Sequence, residues 1–126
     1  MSFCTVINCI DGRVQLPAIE YLQKRFDSEY VDSITEPGPN LILAKQNNIN
    51  LVESVFDRLK ISVAKHASVG IAVAGHYNCA GNPATKEEQN GHTLDAVKCI
   101  KLRYPEIETI GLWVDERWEV SEISTD

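Results

Sequence analysis

Two short stretches hold the residues whose types and spacing could do chemistry. "NCIDGR" (8–13) puts a thiol, a carboxylate and a guanidinium at alternate positions, Cys9, Asp11 and Arg13. "GHYNC" (75–79) sets His76 three residues before Cys79. Zinc takes thiolate and imidazole ligands tetrahedrally, and a Cys2His set leaves one position open for water or substrate. His76 and Cys79 can turn toward one metal, with Cys9 as the third ligand. Two thiolates would cancel the charge of a dication, so such a centre acidifies water less than a three-histidine site does. Asp11 can then help by accepting a hydrogen bond from that water, with Arg13 keeping it ionised and oriented. Taken singly, each cysteine reads first as a small buried hydrophobe, and Asp11–Arg13 can also be an ion pair pinning a loop, compatible with a catalytic role. Thiol chemistry without metal has less support. Cys9 and Arg13 are too close for a C-x5-R phosphate loop, and Cys4 and Cys9 are too far apart for a C-x-x-C redox pair.

These side chains need rigid elements to bring them together. "FCTVINC" (3–9) is apolar and runs into Asp11-Gly12, a turn signal, so it reads as a strand. A helix is expected from Leu16-Pro17, with Ile19, Leu22 and Phe26 at helical spacing. "YVDSI" (30–34) reads as a second strand, and the two prolines of "TEPGPN" (35–40) as a break in regular structure. Val52, Val55, Phe56, Leu59 and Val63 mark a helix over 51–65. "VGIAVAG" (69–75) has the unbroken small-and-apolar character of a strand covered on both faces. A polar loop is expected over 76–91, a helix through Leu94, Val97 and Ile100, a last strand over 107–114, and then a charged, solvated tail. Strand-helix alternation implies parallel strands joined by crossovers. Ligands in such sheets gather at the carboxyl ends of strands. If the first and third strands are neighbours, their two loops open onto one crevice.

Composition narrows the classes. The chain has 126 residues, the size of one domain, and 24% of them are charged. Its net charge of −6 argues against a nucleic-acid partner and an anionic membrane surface. No apolar run reaches the roughly 20 residues of a membrane helix, and "MSFCTVINC" lacks the features of a signal peptide. A cytoplasmic setting is therefore expected, where Cys4, Cys9, Cys79 and Cys99 serve as thiols or ligands before disulfides. Cys4 and Cys99 are expected as buried thiols, Trp113 and Trp118 as packing or interface residues, and His66 and His92 near a helix end or on a loop.

C-x-D-x-R followed much later by H-x-x-C resembles the β-class carbonic anhydrases, and the likeness runs from about Cys4 to Val114. The resemblance implies a single-domain, three-layer α/β fold with a mainly parallel four-stranded sheet. It implies one Zn2+ per chain on Cys9, His76 and Cys79, and a catalytic dyad of Asp11 and Arg13. Asp11 in that family can also ligate zinc in a closed, inactive state. Gly81 matches a glycine of the loop after the second cysteine and is a candidate substrate-binding position. The implied reaction is interconversion of carbon dioxide and bicarbonate by hydroxide held on zinc, in a homodimer or higher homo-oligomer. Two alternatives share the site: hydrolysis of carbonyl sulfide or carbon disulfide, and a non-catalytic zinc-binding protein. The sequence departs from the family where Ala80 follows Cys79. It departs again at "EPGPN" (36–40), which keeps Gly38 and Asn40 but has no arginine.

Overall fold

Alternation of side chains along the strands puts apolar residues on both faces of a sheet, so helices must cover both. A computed structural model of the chain describes residues 2–124. In order, it holds β1 (Phe3–Cys9), a short 3-10 turn (Gly12–Val14), α1 (Gln15–Arg25), β2 (Tyr30–Glu36), α2 (Pro39–Lys45) and α3 (Ile49–His66). β3 (Gly70–His76), α4 (Lys86–Arg103), β4 (Glu108–Val114) and β5 (Val120–Glu122) follow. The strands lie in the order β2-β1-β3-β4-β5. The first four are parallel, and β5 pairs antiparallel with β4.

On one face Ile7, Ile34, Ile71 and Val73 pack beneath α2, α3 and α4 through Leu43, Val55, Leu59 and Val97. On the other, Cys4, Val6, Ala72, Ala74 and Leu112 meet Leu22 of α1. The α3 stripe read from the sequence is the buried one: Val52, Val55, Phe56 and Leu59 all face the sheet. Asn48 caps that helix by accepting from the Leu51 N–H. A hydroxyl inside the core is also satisfied, since Thr5 lies 2.6 Å from Ser62 and 2.8 Å from Ser68. No helix among the described residues is long and apolar enough to cross a membrane.

Three expectations are corrected. The sheet has five strands, not four, because part of the charged tail turns back onto β4. Asp115 Oδ1 accepts from the N–H groups of Arg117 and Glu119, and Trp118 takes a left-handed φ of 61°. An outer strand this short and exposed has too little apolar content to show itself in the sequence. The proline-rich stretch also does not exclude structure throughout. Gly38, at φ 61°, precedes Pro39, which occupies the first turn of α2, where a missing N–H costs nothing. Finally, α4 starts at Lys86, inside the expected polar loop. Thr85 and Glu88 form a reciprocal capping box there, so the first turn is polar and its signal is Thr-x-x-Glu, not an apolar period.

The packing makes Leu59 the test of the α3 face. Leu59→Ala should lower stability by about 2–5 kcal/mol in urea denaturation. Leu102→Ala, at an exposed position of α4, should change it little. A loss under about 1 kcal/mol at Leu59 would mean that α3 is not seated as described.

Candidate metal centre

The two chemical stretches meet because β1 and β3 are adjacent. The chain crosses from β1 to β2 on one side and from β3 to β4 on the other. The carboxyl ends of β1 and β3 therefore flank the point where the strand order reverses, the usual place for a crevice in open α/β sheets. Cys9 is the last residue of β1, His76 the last of β3, and Cys79 follows after Tyr77 and Asn78. They are 3%, 1% and 4% exposed.

Their ligand atoms all lie within 4.8 Å of one another. The sulfurs of Cys9 and Cys79 are 3.8 Å apart. Two thiolates on one tetrahedral zinc, with bonds of about 2.3 Å, would be separated by roughly 3.8 Å. The imidazole has the matching tautomer. Nδ1–H of His76 donates to the Tyr77 carbonyl at 2.7 Å, leaving the lone pair on Nε2. Nε2 is buried and makes no hydrogen bond. A buried nitrogen without a hydrogen-bond partner, beside two buried sulfurs, fits a metal. The sulfurs point the same way. The hydrogen bond between the two sulfurs pulls the Cys9 thiol down against its burial, with His76 helping. The same contact and burial push the Cys79 thiol up. The Cys/His/Cys group is placed to bind a metal.

Asp11 and Arg13 stand next to this cluster. Arg13 grips Asp11 through Nε–Oδ1 at 3.1 Å and a terminal nitrogen to Oδ2 at 2.7 Å. The Arg13 backbone N–H also donates to Oδ1 at 2.9 Å, as Asp11 caps the 3-10 turn. The guanidinium holds the Asp11 carboxyl down at about 2. Asp11 Oδ2 lies 3.9 Å from His76 Nε2, at the rim of the cluster. Arg13 is itself braced, donating to the Asn78 carbonyl and stacking 4.5 Å from the Trp118 ring. Trp118 reaches the site only because β5 folds the tail back.

Gly81 is placed by a close approach of backbones. A Cβ on Gly81 would sit 2.4 Å from the Pro37 carbonyl carbon, and one on Gly38 2.7 Å from the Gly81 carbonyl carbon. The turn after β2 and the loop after Cys79 are thus pressed together at two glycines. Cys4 is fully buried and Cys99 partly so, and all four cysteines are free thiols. His66 ends α3. His92 lies within α4, where its Nδ1 is 3.1 Å from Asn82.

Several supporting residues escaped the sequence reading. Gln15 donates to the carbonyls of Cys9 and Asp11, at 2.7 and 2.9 Å, and so holds the loop that carries both. Asn8 Oδ1 accepts from the Cys9 N–H. Asn40, Asn82, Gln89 and Thr93 form a buried polar network behind β3. Spacing could not reveal these amides, since a buried amide and a solvated one look the same in a sequence. The capping box at Thr85 would have moved Gln89 from a loop onto a helix.

Fold and site together define a parallel α/β protein with a cysteine–histidine metal-binding group at its topological switch point. A family model described as "Putative carbonic anhydrase" matches residues 1–124, and the chain belongs to that family. The fold is that of the β-carbonic anhydrases. It is similar to a tetrameric β-carbonic anhydrase of Sordaria macrospora at 14% identity and a TM-score of 0.63, covering 96% of this chain and 80% of that one. It is also similar to a β-carbonic anhydrase of Aspergillus fumigatus at 12% identity and a TM-score of 0.64, covering 98% and 90%. A search of curated proteins finds no match.

The glycine contact gives a paired test. Gly81→Ala should lower stability by roughly 1–3 kcal/mol, because backbone atoms cannot move aside. Gly91→Ala, in an open stretch of α4, should raise it by roughly 0.5–1 kcal/mol. Equal effects in denaturation would contradict the close packing of the two loops.

Proposed function

We propose that the chain is a zinc-dependent carbonic anhydrase acting on carbon dioxide and bicarbonate. The observation that supports this most is the buried Nε2 of His76, lacking any partner beside two sulfurs at the spacing of a tetrahedral zinc. Cys9, His76 and Cys79 would hold the ion. Zinc there supplies Lewis acidity, which makes water nucleophilic enough near neutral pH to attack carbon dioxide.

The chain's own groups orient that attack. Asp11 Oδ2 accepts the hydrogen bond of the attacking water and turns its lone pair toward the carbon. Arg13 keeps Asp11 from swinging, since bidentate pairing leaves the carboxylate one orientation. Trp118 and the Asn78 carbonyl keep Arg13 in place in turn. Gly81 contributes to the substrate wall by letting the loop after Cys79 close against the turn at Pro37-Gly38. At the segment after β2 that has no arginine, Gly38 and Asn40 serve packing and the buried network.

Location in the reducing cytoplasm belongs to the same reading, because both ligand cysteines must stay thiolates. So does assembly as a homodimer or higher homo-oligomer. Strand β2 pairs only with β1 among the described residues, leaving an edge for a partner to cover, and the Sordaria macrospora enzymes are tetrameric.

The purified protein should carry about one zinc per chain by elemental analysis, and Cys9→Ser should lose it. Failure of both would refute the metal centre. Stopped-flow hydration of carbon dioxide by the zinc-loaded protein should exceed that of free zinc, and a rate no faster would leave only a binding protein. Hydrolysis of carbonyl sulfide faster than hydration of carbon dioxide would favour the related hydrolase. Asp11→Asn should keep its zinc and lose roughly tenfold or more in turnover. Unchanged turnover would make the dyad an ion pair that only pins the loop.

A further inference from the structure

The metal-binding group exists because β1 and β3 part company before they end. Their paired residues run from Thr5–Ile71 to Ile7–Val73, and pairing stops there. His76 lies three residues further on, so on that side its backbone has no strand to bond. Burial forbids water as the substitute, and His76 is 1% exposed.

A side chain takes the strand's place. Gln89 Oε1 accepts from the His76 N–H at 3.2 Å, and Gln89 Nε2 donates to the His76 carbonyl at 2.8 Å. One amide thus closes a two-bond ring with one residue, as a paired strand residue would. The orientation of the amide is set by its surroundings. Oε1 also accepts from Asn40 Nδ2, and Asn40 Nδ2 donates to Thr93 Oγ1 as well. Asn40 Oδ1 accepts from Asn82, three residues past Cys79. Glycine at position 75 is what admits the network, since a Cβ there would lie within 3.1 Å of Asn40, Gln89 and Thr93. Gln89 itself is 1% exposed, and every polar atom of its amide is used.

We infer that Gln89 is a positioning residue for the metal centre. It fixes the backbone of His76, and through Asn40 and Asn82 the loop carrying Cys79, so that the imidazole and the second sulfur stay at coordinating distance. This rests on the metal reading above. It assigns to Gln89 no contact with substrate.

The test compares zinc affinity by competition with a chelating dye, and the thiolate-to-metal absorption of the cobalt-loaded protein, across four full-length chains. Gln89→Met removes both bonds at similar volume and should weaken zinc binding about tenfold or more, with a broadened cobalt spectrum. Gln89→Glu keeps the acceptor for the His76 N–H but loses the donor to its carbonyl, and should weaken binding to a smaller degree. Its added negative charge would by itself favour a cation, so weakening in that variant has to come from geometry. Val97→Ala, in the core beneath the same helix, should lose thermal stability with affinity and spectrum unchanged. Wild-type affinity and spectrum in Gln89→Met would overturn the proposal, as would an equal loss of affinity in Val97→Ala. If Gln89→Met does not fold, Gln89→Glu decides: weaker binding supports the role, and unchanged binding overturns it. A wild-type chain that binds no zinc would overturn the metal centre itself, an outcome distinct from any difference among the variants.

Discussion

Two sulfur atoms 3.8 Å apart, buried with an imidazole lone pair, set the condition that the rest of the molecule satisfies. Such a group is placed to take a cation. His76 Nε2 is buried there without a hydrogen-bond partner, which is costly in a dry interior. The fold meets the condition by placing Cys9 and His76 at the ends of two neighbouring parallel strands and Cys79 on the loop just past the second. Strand ends are the least pliable positions for side chains, because the ladder behind them fixes the backbone.

Holding ligands apart has a structural cost, which appears as the early parting of β1 and β3. Backbone groups that the ladder would have satisfied need other partners in a dry interior. Side-chain amides supply them: Gln89 at His76, Gln15 and Asn8 at Cys9. Glycine supplies the space, at 75 for the amide network and at 38 and 81 for the contact between loops. The Arg13–Asp11 pair adds a charged clamp on the open side, braced by Trp118. The inward side of the site is therefore built from neutral amides and the outward side from an ion pair. That division matches the dielectric of each, since an ion pair behind β3 would have been costly to desolvate.

Much of this was legible from residue patterns. The four parallel strands, α3 and its buried stripe, and the grouping of Cys9, His76 and Cys79 all follow from apolar runs and the spacing of reactive residues. The elements that escaped had polar signals. The first turn of α4 is announced by Thr85 and Glu88, and α2 by Gly38-Pro39, signals that a search for apolar periods passes over. β5 carries one valine and two polar residues, and its stability comes from the edge of β4. Gln89, Asn40 and Asn82 were invisible for a deeper reason, since a buried amide and a solvated one look the same in a sequence.

By itself, the sequence determined which atoms could coordinate a metal and which strands would carry them. Chemical identity and local periodicity are properties of the chain, present before any contact forms. Only the tertiary structure decided that β1 and β3 are neighbours, that their ends diverge, and that an amide from α4 closes the gap at His76. Those are outcomes of packing between residues far apart in the chain, such as Asn40 and Gln89, or Cys9 and Cys79. No local rule fixes such distances, because they are set by how helices of particular girth fill the two faces of one sheet.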